Sequence, residues 1–114
     1  MTDKAQIDER TIRELGETAG DDFIPELILA YLEETPRLIE DIQAALAAGD
    51  VSTFTRAAHS IKSSSASVGA LVFSAQAKEL ELMGKSGDLS QAGEKLEQLT
   101  LVYPQVELAL KEYL

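Results

Sequence analysis

Leu89, Ala92, Leu96, Leu99, Tyr103, Val106, Leu110 and Tyr113 alternate three and four residues apart. That period keeps one side of an α-helix apolar along its whole length and gives a β-strand no consistent face. A seam this long must be covered by other helices, so it predicts packing of helix on helix. Pro104 falls inside it and predicts the loss of one backbone hydrogen bond, with a kink.

The breaks between segments are also legible. Gly-Asp occurs at Gly20-Asp21, Gly49-Asp50 and Gly87-Asp88, and Gly69 adds a fourth break. Glycine favours the position just past a helix end and aspartate favours the N-cap, so each pair reads as one helix stopping and the next starting. Five segments result, over 8–18, 21–48, 50–66, 70–85 and 88–114. In the second, Ile24, Leu27, Tyr31, Leu38, Ile42 and Ala45 share a stripe, and Pro36 is expected to bend or split it. The first is short, with Ile12 and Leu15 as its apolar contacts, and is expected to cap one end. Short connections between long helices predict an all-α, up-down antiparallel four-helix bundle with a short additional N-terminal helix.

Composition agrees. Hydrophobic residues make up 45% and aromatic residues only 5%, with no alternating runs of Val, Ile and Thr, which favours helix over sheet. A length of 114 residues suits a single domain over 1–114, with residues 1–7 expected to form a flexible lead. The net charge of −10 argues against nucleic-acid partners and anionic membranes. Absence of cysteine excludes disulfides, thiolate catalysis and cysteine-held metals. No apolar run approaches the roughly 20 residues of a membrane span, and the polar start lacks the apolar core of a signal peptide. A cytoplasmic setting is therefore expected.

One segment poses a chemical question. His59, the only histidine, lies in "RAAHSIKSSSASVGA", among serines and alanines. At about 100° per residue, with Phe54 at zero, Ala57, Ala58, Ile61 and Ser65 fall near Phe54, while His59 falls at about 140°. The imidazole is thus expected to face solvent beside Ser52, Thr55, Lys62, Ser63 and Ala66. A lone histidine is commonly an ordinary surface residue. A zinc site lacks further His or Cys ligands. A serine hydrolase needs an acid partner and an oxyanion hole beside a fixed nucleophile. The remaining chemistry is that of an accessible nucleophilic histidine reached by another protein's active site. Lys62, one turn away, can pair with an anion received there, and small neighbours leave room for the partner.

These residues carry a family resemblance. "AHSIKSSSASVGA" resembles the signature of histidine-containing phosphotransfer (HPt) domains, in which lysine follows the histidine at +3 and glycine at +10; here these are His59, Lys62 and Gly69. The flanking stretches "GDDFIPELILAYLEETPRLIEDIQAALAAGD" and "AKELELMGKSGDLSQAGEKLEQL" are similar too, so the resemblance covers about residues 8 to 114. It implies a four-helix bundle with an extra N-terminal helix. It implies that His59 is the phosphoacceptor, that Lys62 stabilises the phosphoryl group, and that Gly69 is the small residue keeping the site open. Many members have glycine directly after the lysine. This chain has Ser63, small enough for docking and able to donate its hydroxyl to phosphoryl oxygens. The position 22 after the histidine often holds glutamine or glutamate that bonds the inner ring nitrogen, and here it is Glu81. Such an acceptor fixes the tautomer and leaves the outer nitrogen free to attack.

The resemblance further implies a phosphoryl carrier more than an enzyme, with no ATP-dependent kinase activity of its own and no cofactor. Mg²⁺ is expected on the partner. Expected partners are response-regulator receiver domains and a hybrid histidine kinase, met by a monomer. Two rivals stand beside this reading: a helical adaptor without phosphotransfer, and the phosphotransfer domain of a dimeric histidine kinase, for which the chain is too short to hold an ATP-binding domain.

Overall fold

The computed structural model describes residues 7–114, and among these it contains five helices and no strand. They are α1 (Glu9–Ala19), α2 (Phe23–Ala48), α3 (Val51–Ser67), α4 (Leu71–Ser86) and α5 (Ala92–Lys111). Consecutive long helices pack on one another, α2 on α3, α3 on α4 and α4 on α5; α5 returns to α2, and α1 packs on α2. No helix among the described residues is long and apolar enough to cross a membrane.

The C-terminal seam is buried as its spacing requires. Ala92, Leu96, Leu99, Tyr103, Val106 and Leu110 lie in the core, with Leu89 and Tyr113 packed at its margin. The helix nevertheless begins at Ala92 and not at Asp88. The Asp88 carboxylate accepts the Ser90 backbone N–H at 3.0 Å and closes a turn of its own instead of capping α5. Asp50 does cap, accepting the Thr53 N–H at 3.1 Å, whereas Asp22, at the N-cap of α2, makes no side-chain cap bond.

Neither proline divides its helix: α2 runs through Pro36 and α5 through Pro104. The buried stripe of α2 differs from the expected one. Ile28 and Ile39 are its buried members, beside Tyr31, Ile42 and Ala45, while Ile24, Leu27 and Leu38 are only partly buried. The centre of the stripe passes through Thr35, which is fully buried because its hydroxyl donates to the Tyr31 carbonyl at 2.7 Å. A polar residue satisfied by its own helix can occupy a core position, and it hides the stripe from a count of apolar residues.

Of the lead expected over 1–7, residues 1–6 lie outside the described residues. Ile7 is in the core, and the Asp8 N–H donates to the Gly69 carbonyl at 2.8 Å. Ile12 is buried and Leu15 half-buried on α1. The segment entering α1 is thus held against the turn between α3 and α4.

Candidate functional site

The buried side of α3 is made of Phe54, Ala57, Ala58, Ile61 and Ser65, the stripe that the helical period predicts. His59 therefore points outward, with its side chain 57% exposed. On the buried side, Ser65 is fully buried because its hydroxyl pairs with the Tyr31 hydroxyl at 2.7 Å.

Across from His59 stands Glu81 of α4. It is a core residue by burial, with 5% of its side chain exposed, in a chain whose other carboxylates are mostly solvated. Its Oε2 lies 2.8 Å from His59 Nδ1, and its Oε1 lies 2.7 Å from Lys62 Nζ. Lys85, one turn along α4, brings its Nζ to 3.5 Å from Oε2. A carboxylate taken out of water survives only when its oxygens are paired, and here both are. The Lys62 ammonium bonded to Glu81 is the main reason its carboxyl is held down at about 2. The His59 bond and the charges of Lys62 and Lys85 act in the same direction, against burial, which pushes it up. With Glu81 ionised, Nδ1 is the nitrogen that carries the proton. The exposed imidazole then has its other nitrogen, Nε2, as the nucleophilic one.

Two contacts between α3 and α4 set this register. The Ser74 hydroxyl donates to the Lys62 carbonyl at 2.8 Å. At the other end, Gly84 lets the helices approach until a Cβ there would stand 3.0 Å from Thr55 Cβ and 3.2 Å from its Cα, and would run into the hydroxyl. Gly84 lies three residues after Glu81, and Thr55 four before His59, so this close approach is one turn from the site.

The structure brings His59, Lys62 and Glu81 together. Lys62 differs from the expected arrangement in one respect: its ammonium is bound to Glu81, with one of its three donors accounted for by that contact. Ser63 is exposed, one turn after His59. Gly69 stands apart from these three, at the turn between α3 and α4. It is buried, with φ +82°, and a Cβ there would meet the Asp8 carbonyl oxygen at 2.9 Å and Thr11 Cβ at 3.2 Å. The glycine is required for a left-handed turn and for the close approach of the N-terminal segment.

Lys85, Gly84 and Ser74 were not singled out by sequence reasoning. Lys85 is the one with a signal, since it comes one helical turn after Glu81. The cleft of about 780 Å³ between the N-terminal segment and the start of α4 is lined by Asp8, Arg10, Arg13, Gly69, Leu71 and Val72 among others, and not by His59. Among the described residues no three His, Cys, Asp or Glu side chains gather where they could hold a metal ion.

Comparison with known proteins shows the family and the fold. A family model described as Hpt domain matches residues 26–112, which leaves out α1 and takes in most of α2 and all later helices. The crystal structure of histidine-containing phosphotransfer protein B (HptB) from Pseudomonas aeruginosa PAO1 is similar, with a TM-score of 0.88 and 28% identity over 96% of this chain and 94% of that one. No curated protein matches the sequence. With the family model spanning most of the chain, and His59 exposed on the helix where that similarity lies, the chain belongs to the Hpt domain family, the histidine-containing phosphotransfer domains of two-component phosphorelays.

Proposed function

We propose that His59 is the phosphoacceptor, taking a phosphoryl group from an aspartate of one receiver domain and passing it to an aspartate of another. The observation that carries this reading is the pairing of an exposed imidazole with a buried carboxylate, His59 Nδ1 to Glu81 Oε2 at 2.8 Å. The carboxylate keeps the proton on Nδ1, so the Nε2 lone pair attacks phosphorus. The N–P bond forms as the bond from phosphorus to the aspartyl oxygen breaks, and the aspartate leaves with that electron pair as carboxylate. Glu81 continues to accept from Nδ1 as the ring gains positive character. Lys62 has donors left for the phosphoryl oxygens while it stays on Glu81. The Ser63 hydroxyl, exposed one turn after His59, can donate to the same oxygens.

In this reading the chain acts as one domain and as a cytoplasmic monomer, and it supplies no cofactor. Mg²⁺ comes on the receiver. The four long helices form an up-down antiparallel bundle with α1 as an added helix; the sequential packing of α2 to α5 and the return of α5 to α2 support this.

The test is to mix the protein with phosphorylated receiver domains of the same organism and to follow the label on gels with and without acid. An acid-labile, base-stable label on wild type that is absent from His59→Gln is the expected result. No label from any receiver, with the helices intact, would overturn the carrier role in favour of an adaptor.

A further inference from the structure

Charge is distributed unevenly over this molecule. The chain has 20 acidic residues, yet α3 contains no aspartate or glutamate. Its two cations, Arg56 and Lys62, stand one turn before and one turn after His59 and thus flank it along the helix. On α4, Lys78 and Lys85 stand three residues before and four after Glu81, on the side of that helix turned to the imidazole. Arg56, Lys78 and Lys85 are exposed. Of the two carboxylates of α4, Glu81 pairs with Lys62 and Lys85 and offsets one of their two charges, while Glu79 reaches the other way, to Lys95 of α5 at 3.7 Å. Asp41 of α2 lines the same shallow cleft as Arg56, and the four cations around His59 still outnumber Glu81 and Asp41. Leu82, 54% exposed, lies one turn from both Lys78 and Lys85 and adds apolar surface to the same face.

Neither Arg56 nor Lys78 takes part in the His59–Glu81 cluster. The Arg56 guanidinium donates to the Thr53 hydroxyl at 3.3 Å, along its own helix. We propose that Arg56 and Lys78 determine the association step of phosphotransfer. With Lys62 and Lys85 they form a cationic rim around His59 that steers an anionic protein face onto the imidazole. The acidic remainder of the surface repels the same face elsewhere. The inference rests on the carrier reading, because that reading supplies the partner's chemistry: an aspartyl phosphate beside the carboxylates that hold its Mg²⁺. Fields of this kind act over about one Debye length, roughly 8 Å at physiological ionic strength, and raise association rates by about ten- to a thousandfold.

The experiment uses the receiver domain that labels wild type fastest. Transfer is followed at subsaturating and saturating receiver, in about 0.05 M and about 0.5 M salt. The wild-type rate at subsaturating receiver is expected to fall at least about tenfold with salt. Arg56→Glu/Lys78→Glu should lower the low-salt rate at least about tenfold, flatten the salt response, and keep the rate at saturation. Arg56→Gln/Lys78→Gln should fall between the two, and Lys111→Glu on α5 should stay within about twofold of wild type. Unchanged melting temperatures identify the variants as folded. The proposal is overturned if the double reversal keeps the wild-type rate and salt response, or if it loses rate equally at saturation. Failure of the carrier reading looks different: wild type itself then takes no label on His59, and the inference falls with it.

Discussion

His59 Nδ1 lies 2.8 Å from Oε2 of Glu81, although the two residues are 22 positions apart and belong to different helices. One member of the pair is exposed and the other buried. The imidazole is thus open to solvent on one side and anchored on the other by a carboxylate that cannot exchange its partners freely with water.

Replacing His59 by Gln or Ala should abolish the acid-labile label with the helices retained. The imidazole is more than half exposed, so little packing is lost, but Ala takes from buried Glu81 Oε2 its 2.8 Å partner and should cost about 1–3 kcal/mol. Thermal melts check this, and a loss of the cooperative transition would contradict the exposed placement. Lys62→Ala should slow transfer with the helices retained, since it removes the cation nearest to the ring's carboxylate partner.

Glu81→Ala should impair both folding and transfer. Removing a carboxylate that pairs Lys62 leaves a half-buried ammonium without its counter-charge, a change that costs about 3 kcal/mol when the partner is well buried. Loss of the bond to Nδ1 releases the ring tautomer, and a hydrogen bond to a charged group of about 1.5 kcal/mol corresponds to roughly tenfold in rate. Single-turnover transfer at saturating receiver separates this from weaker docking.

Acid should weaken the protein through the same residue. Glu81 is lowered from 4.5 to about 2 in the folded chain. A depressed carboxyl stabilises above its unfolded value, and the contribution disappears as pH falls from about 4.5 through about 2. The difference corresponds to an order of 3 kcal/mol. Denaturant midpoints at neutral pH and near the lower limit should converge in Glu81→Gln relative to wild type. Equal acid sensitivity in the two proteins would refute the assignment.

Gly84→Ala should push α3 and α4 apart. The added methyl would meet Thr55 Cβ at 3.0 Å, and the Thr55 hydroxyl that also blocks it is bonded to the Val51 carbonyl at 2.8 Å. Overpacking of this kind costs about 1–3 kcal/mol. Thr55→Ala in the same chain should recover part of the loss and part of the transfer rate, which a clash elsewhere would not allow.

Tyr31→Phe should cost about 1–3 kcal/mol, because the buried Ser65 hydroxyl loses its partner. Ser65→Ala in that background should restore much of the stability. Tyr103→Phe should cost little or nothing, since the buried Tyr103 hydroxyl has no partner among the described residues. Equal losses at the two tyrosines would contradict this account of the core.

Where helices start and stop was partly legible. Gly49 and Gly87 both stand just past helix ends in the left-handed conformation. Asp50 caps as its position suggests, while Asp88 resembles Asp50 in sequence and closes a separate turn. The difference lies in the residues C-terminal to each aspartate, and a dipeptide does not contain it. On α2, Tyr31, Ile42 and Ala45 are buried as their spacing predicts, while Ile28 and Ile39 take the places expected for Leu27 and Leu38. Thr35, its hydroxyl satisfied inside the helix, completes the stripe unseen by a count of apolar residues.

The number and order of the helices, the core side of α3 and the outward direction of His59 can all be read from local pattern. These rest on backbone periodicity within a single helix, and neighbours three and four residues apart suffice to reveal them. Tertiary structure alone decided that Glu81, among 20 acidic residues, is buried. It also decided that Gly69 serves the N-terminal segment. Both depend on how one helix or segment is seated on another. For Glu81 that seating is set by the Gly84–Thr55 approach and the Ser74–Lys62 hydrogen bond. The residues that define such a register lie far apart in the chain, and no local period connects them.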